Sequence, residues 1–146
     1  REIVTMAEKF GASVEGEIGS IGGAEGDMAS ADIQVTSVAE AKRFAEETKV
    51  DALAVAIGTA HGNYKETPQL RIDRLKEIHA ALDTPLVLHG GTGLTKEDFH
   101  NCLENGITKI NIATASYDSS AAKVKAVYKA KPDANYFDFS DAICAN

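Results

Sequence analysis

Several features are scarce in this 146-residue chain, and each scarcity excludes something. There are only two cysteines, Cys102 and Cys144, far apart in sequence, so there is no close-spaced redox or metal motif of the CxxC kind. That suits a reducing compartment, and a cytoplasmic location is expected. Basic residues are outnumbered, 15 Lys and Arg against 22 Asp and Glu, for a formal net charge of −7, and no Lys/Arg run stands out. Nucleic acid and anionic membrane surfaces are therefore poor partners. No apolar run approaches the roughly 20 residues of a membrane span. No signal peptide is expected, and there is no initiator Met. The chain starts at Arg1, already inside a helical pattern, and is expected to be a piece of a longer protein. What remains is 44% hydrophobic and 25% charged, enough for one domain with a core.

The pattern alternates helix and strand. Ile3, Ala7 and Phe10 form a helical stripe ended by Gly11. Residues 12–18 read as a strand carrying Glu15 and Glu17 on one face. A Gly-, Ala- and Ser-rich connection follows from Gly19 to Val35. It is long for a βα loop, and such loops are often functional or mobile. Ser37 and Glu40 form a capping box for a helix to about Thr48. Residues 51–58 are apolar enough for a strand covered on both faces. Ile72, Leu75, Ile78 and Leu82 give the next helix, and residues 85–89 the next strand. Thr95 and Asp98 cap a helix with Phe99 and Leu103 on one face, ending at Gly106. Residues 108–113 make the last strand, and a helix runs from Thr114 to about Tyr128. The tail from Lys131 fits no clear element. Four strands alternating with helices predict a parallel sheet with right-handed crossovers. That is half of a (β/α)8 barrel, or a free-standing four-stranded doubly wound domain.

Two histidines stand out. His61 and His89 each sit at or just past the C-terminal end of a predicted buried strand, and each precedes a glycine. In a barrel those ends converge on one face, where two imidazoles could supply two of three protein ligands to a catalytic Zn²⁺. The alternative for either is a hydrogen-bonded structural residue. His79 and His100 lie inside helices and read as surface residues. Glu15 reads as an ion-pair partner, and Glu17, nearer the strand end, as the better site candidate. Glu25, in the glycine-rich connection, is either a solvated loop charge or a general acid/base on a closing lid. Asn111 and Thr114, with Gly90, Gly91 and Thr92, occupy the loops where many barrels hold phosphate; Asn111 could equally be buried and bonded to backbone.

Four blocks of the chain, in order, carry a resemblance: Val14-Glu15-Gly16-Glu17-Ile18-Gly19 with Gly22-Gly23, the stretch Ala54 to Gly62 ending Thr59-Ala60-His61-Gly62, Leu86-Val87-Leu88-His89-Gly90-Gly91-Thr92-Gly93, and Lys109-Ile110-Asn111-Ile112-Ala113-Thr114. Together they resemble the class II, zinc-dependent ketose-bisphosphate aldolases. The resemblance implies a (β/α)8 TIM barrel, of which this chain supplies the C-terminal four βα units as one half-domain. It implies reversible cleavage of fructose 1,6-bisphosphate, or of tagatose 1,6-bisphosphate, to dihydroxyacetone phosphate and glyceraldehyde 3-phosphate through a zinc-stabilised enediolate. His61 and His89 would be zinc ligands, with Glu17 a carboxylate near the metal and a monovalent cation as a further activator. Gly62, Gly90, Gly91, Thr92, Asn111, Ile112, Ala113 and Thr114 would hold the dihydroxyacetone phosphate half, with Asn111 near the reacting carbon. Glu25 matches a loop carboxylate that moves a proton. A place in glycolysis and a homodimer or homotetramer are also implied. The family's Asp-His pair is absent from these residues, so they are expected to be inactive alone. Ala115 and Tyr117 replace the charged residues usual there, which leaves specificity at the aldehyde end open. The competing reading is a non-catalytic sugar-phosphate-binding half-barrel, or a relative acting on another phosphorylated ketose.

Overall fold

The computed structural model describes residues 1–19, 22–23, 35–64 and 68–145. Four strands, β1 (Glu15–Ile18), β3 (Ala52–Val55), β5 (Leu86–Leu88) and β6 (Ile107–Ile110), form one sheet in the order β1-β3-β5-β6. Every pairing is parallel. A second, two-stranded parallel ladder joins β2 (Gly22–Gly23) to β4 (Ala60–His61), with Gly23 opposite His61. The sequence pattern did not show that ladder, because two-residue strands leave no periodicity. The four main strands are each shorter than the stretches the sequence pattern marks for them. β3 stops at Val55, and the chain turns at Gly58, whose φ is +105°.

The alternation along each strand assigns the two faces of the sheet. Leu53, Val55, Leu86, Leu88 and Ile107 belong to one buried cluster with Ala41 and Ala45 of α2 (Val38–Thr48) and Leu75 and Ile78 of α3 (Ile72–Ala81). Cys102 of α4 (Lys96–Glu104) completes it. Gly16 faces α2 so closely that a Cβ there would sit 2.7 Å from Cε1 of Phe44. Both predicted capping boxes form: Ser37 with Glu40, and Thr95 with Asp98. Each satisfies two N-terminal groups that the helix itself leaves unbonded. Buried Thr36 closes the ends of β1 and β3, its Oγ1 donating to the Ile18 carbonyl and accepting from the Ala56 amide.

Two helix faces differ from the sequence reading. In α1 (Glu2–Glu8) the buried residue is Val4, while Ile3 and Phe10 are exposed. The helix ends at Glu8, so Phe10 lies in the turn that leads to Gly11, at φ +63°. In α4 the inward position is Cys102, and Leu103 is exposed. Burial, aided by the charge of Asp98, pushes the Cys102 thiol up to about 11, so it behaves as a small apolar side chain.

The described residues divide into two compact units, 1–112 and 113–145. The second comprises α5 (Thr114–Ala130) and α6 (Tyr136–Cys144). α6 is where the sequence reading placed no element. It has its own capping box, Asn135 with Asp138, and Lys131 pairs with the Asp138 carboxylate at 2.9 Å. Lys123 of α5 donates to the carbonyls of Ile143 and Ala145 at the end of α6.

Candidate active site

The sheet face away from α2 and α3 has a low apolar floor. Ala54, Ala56 and Val87 lie on it, all fully buried. Longer polar side chains rise around them: Glu15 and Glu17 from β1, His89 just past β5, and Lys109 and Asn111 at the end of β6. Straight alternation from Ile107 would turn Lys109 toward the helices. It does not, because the register slips: Leu86 pairs with Ile107, but Val87 pairs with Lys109. Thr108 is the extra residue of a β-bulge, its Oγ1 donating to the Leu86 carbonyl at 3.1 Å. The bulge exchanges faces for everything after it, which is a common use of bulges beside functional sites.

These side chains form one connected group. Glu15 Oε1 is 2.9 Å from His89 Nε2, and Glu15 Oε2 accepts from Lys109 Nζ at 2.8 Å. Lys109 Nζ also donates to Asn111 Oδ1 at 2.6 Å. Glu15 and Lys109 come from opposite edges of the sheet. In a flat sheet those strands would be roughly 14 Å apart, at about 4.8 Å per step. Their contact across the face records a sheet that curls toward it, as the wall of a barrel does. Burial works against charge on Glu15, but the Lys109 and His89 hydrogen bonds outweigh it and hold the carboxyl below its ordinary range. The expectation that Glu15 is an ion-pair partner is met.

An ionised Glu15 only accepts hydrogen bonds, so a neutral His89 ring carries its proton on Nε2. Nδ1 then carries a lone pair, and Glu17 Oε1 lies 3.4 Å from it. Two acceptors facing each other repel unless a cation lies between them. The separation is long for a hydrogen bond. It matches the edge of a tetrahedral zinc site, where bonds of about 2.0–2.2 Å set ligand atoms roughly 3.3–3.5 Å apart. The His61 ring lies beside this pair, with centroids 6.1 Å apart. Rings sharing one ion have centroids no more than roughly 6.5 Å apart, given metal–nitrogen bonds of about 2.0–2.1 Å. The donor chemistry of His61, His89 and Glu17 therefore fits zinc, with Glu15 as the outer carboxylate that orients a ligating imidazole. Among the described residues no group of three His, Cys, Asp or Glu side chains is closed tightly enough to hold an ion as it stands.

The glycine loop after β5 packs against the site. Gly91 N donates to the Asn111 carbonyl at 3.1 Å, and Asn111 N donates to the Leu88 carbonyl at 2.9 Å. Gly90, at φ +72°, lies so close to the other histidine loop that a Cβ would be 2.4 Å from the Ala60 carbonyl oxygen. Thr92 is buried.

The model of the family described as fructose-bisphosphate aldolase, class II, matches residues 1–144. The chain belongs to that family. Among solved aldolase structures, the YdjI aldolase from Escherichia coli K12 superposes with a TM-score of 0.77 at 31% identity, over 97% of this chain and 47% of that one. A protein from Coccidioides immitis assigned to the fructose-1,6-bisphosphate aldolases gives 0.81 at 30% identity, over 97% and 52%. The fructose-bisphosphate aldolase of Campylobacter jejuni shares the fold, with a TM-score of 0.65 at 23% identity, over 90% and 41%. This chain of the class II aldolase family thus spans about half the length of the structures it matches, and its curled parallel sheet corresponds to part of their TIM barrel.

Within this aldolase-family chain the predicted site residues divide clearly. His61, His89, Glu17, Gly62, Gly90, Gly91, Thr92, Asn111 and Ile112 all belong to the first unit. His89 contacts Glu17, His61 lies beside it, and Gly91 bonds Asn111. Ala113 and Thr114 open the second unit, where Ala113 is the N-cap of α5. Glu25 lies outside the described residues. His79 and His100 are exposed on their helices, as expected. The sequence reading missed Lys109, whose face the bulge decides, and Tyr64. The half-buried Tyr64 hydroxyl accepts from the Ala60 amide at 3.1 Å and donates to the Gly90 carbonyl at 2.7 Å, tying together the two histidine-bearing loops. Burial raises the Tyr64 pKa, which keeps that donor protonated. Its position three residues after His61 was the available signal.

Proposed function

We propose that this chain supplies the C-terminal four βα units of a (β/α)8 aldolase barrel, and that the barrel reversibly cleaves a ketose bisphosphate. Fructose 1,6-bisphosphate is the first candidate and tagatose 1,6-bisphosphate the second; the products are dihydroxyacetone phosphate and glyceraldehyde 3-phosphate. The observation that carries this reading is the His89 ring held on one nitrogen by Glu15 and turned on the other toward Glu17, with His61 alongside. His61 and His89 would hold zinc, with Glu17 as a secondary ligand. When bound, zinc would polarise the substrate ketone and take up charge as the carbon–carbon bond breaks.

The chain's own residues do the rest. Gly62, Gly90 and Thr92 bring backbone N–H groups and a hydroxyl to the sugar-phosphate half, and Gly91, whose own N–H goes to the Asn111 carbonyl, leaves room for it there. Asn111, with Ile112 beside it, turns an amide toward the reacting end. The assignment of Ala113 and Thr114 to the same half rests on their sequence block alone. Glu25 moves the proton at the dihydroxyacetone phosphate carbon. No helix among the described residues is long and apolar enough to cross a membrane, and we place the enzyme in the cytoplasm as a homodimer or homotetramer.

The test is zinc content and bisphosphate cleavage by the full-length protein. Stoichiometric zinc, and activity lost with a chelator and restored by zinc, are expected. Binding of dihydroxyacetone phosphate without cleavage would overturn the enzyme reading in favour of a sugar-phosphate-binding module. Glu25→Ala should lower kcat by about 10²–10⁴-fold with zinc content unchanged and KM changed less, the signature of a lost general acid/base. A normal kcat would return Glu25 to a solvated loop charge.

A further inference from the structure

We propose that Lys109 is a positioning residue whose single ammonium group fixes the Asn111 amide and holds the Glu15 carboxylate in place against His89. What Asn111 and His89 then do rests on the function proposed above; the positioning itself does not. An ammonium group has donors and no acceptor. The Asn111 atom 2.6 Å from Nζ is therefore Oδ1, and the amide NH₂ is turned away from Lys109. Without that constraint the terminal amide torsion is broad and roughly two-fold, so the group could present either end. The same ammonium takes Glu15 Oε2 at 2.8 Å, while Oε1 meets His89 Nε2 at 2.9 Å. With both oxygens held, the carboxylate cannot turn without losing a partner. Lys109 reaches this face only because the Thr108 bulge puts it opposite Val87. One side chain thereby couples the sugar-phosphate end of the group to the imidazole end.

The decisive measurement is the tautomer of His89, read from its ring ¹⁵N shifts in the metal-free full-length protein at a pH where the ring is neutral. The wild type should show Nε2–H. In Glu15→Gln, Lys109 must face the amide oxygen, so the amide NH₂ is forced toward His89 Nε2. That nitrogen must then accept, and the proton moves to Nδ1. In Glu15→Gln combined with Lys109→Met, the amide is free to rotate and both tautomers should appear. Lys109→Arg, which keeps a donor cation, should preserve the Nδ1–H form in the Glu15→Gln background.

Zinc affinity supplies a second readout. Glu15→Gln should weaken it about 10–100-fold, the usual range for losing an outer partner of a metal ligand, and Lys109→Met, one contact further out, by less, with Lys109→Arg recovering most of that smaller loss. Lys109 is half exposed, so neither substitution opens the core. In the Glu15→Gln background, the same tautomer with and without Lys109, or an Nε2–H ring with Lys109 present, would overturn the proposal even if the protein is an active aldolase. The tautomer shifts without any bisphosphate cleavage would uphold the positioning role and reject the proposed reaction instead.

Discussion

Replacing His61 or His89 with alanine is expected to remove most of the bound zinc from the full-length protein and nearly all of its activity. Each ring is proposed as one of only a few protein ligands, and a zinc site with three protein ligands has no spare to substitute. The two losses should differ in side effects. His89→Ala also leaves Glu15 and Glu17 facing the gap without their shared imidazole, so two carboxylates lose the group between them. Some loss of stability should accompany the loss of metal. His61→Ala removes a half-buried ring and should leave the fold less affected. His79→Ala and His100→Ala, both on exposed helix positions, should keep zinc and activity close to wild type. Zinc by atomic absorption, read beside a coupled cleavage assay, distinguishes the four. A helical histidine that matters as much as either strand-end histidine would show that the site is misplaced.

Gly90→Ala should be strongly damaging for a single added methyl. Gly90 is at φ +72°, which costs a non-glycine residue of order 1–3 kcal/mol by itself. The added Cβ would also be 2.4 Å from the Ala60 carbonyl oxygen, a backbone atom that cannot rotate out of the way. Forcing the two loops apart adds a term typical of overpacking, so a loss of about 2–5 kcal/mol is expected. The movement also strains the Tyr64 bridge and changes the spacing of His61 and His89. Chemical denaturation gives the stability loss, and zinc titration of the folded fraction gives the change in affinity. A variant with wild-type midpoint and wild-type zinc affinity would show that the loops have more room than their contact indicates. Gly11→Ala is the natural control: it shares a positive φ, but a Cβ there meets nothing within 4 Å.

The strands and capped helices were legible because each rests on a local signal. Apolar runs ending on His89 or leading to His61 mark strands covered on both faces, and Ser37/Glu40 and Thr95/Asp98 mark helix starts. α6 carried the same kind of signal, Asn135 with Asp138, but with asparagine in place of the Ser or Thr of the other two caps and a run of aromatics after it. The stripe of α1 misled because periodicity says which residues share a face, not which of two faces finds a partner; Val4 found one and Ile3 did not. Of the site, the two histidines and Glu17 are candidates that strand ends and alternation offer, while Glu15 reads from the sequence only as an ion-pair partner. Lys109 could not be read there, since a bulge changes parity without changing composition. Tyr64 was hidden for another reason: its role depends on Gly90, 26 residues away.

The bulge at Thr108 also holds the strand in one of two registers. With the bulge flattened and Thr108 paired with Val87, Lys109 would turn into the apolar layer beside Leu88, Ile110 would take its place among the carboxylates, and Asn111 would be inverted as well. Deleting Thr108 removes that alternative: Lys109 then meets Val87 and Ile110 meets Leu88 by plain alternation, and both keep their faces. An extra residue that the faces of the site do not need is one whose loss should be tolerated, and sequence comparisons there should read a one-residue gap as neutral.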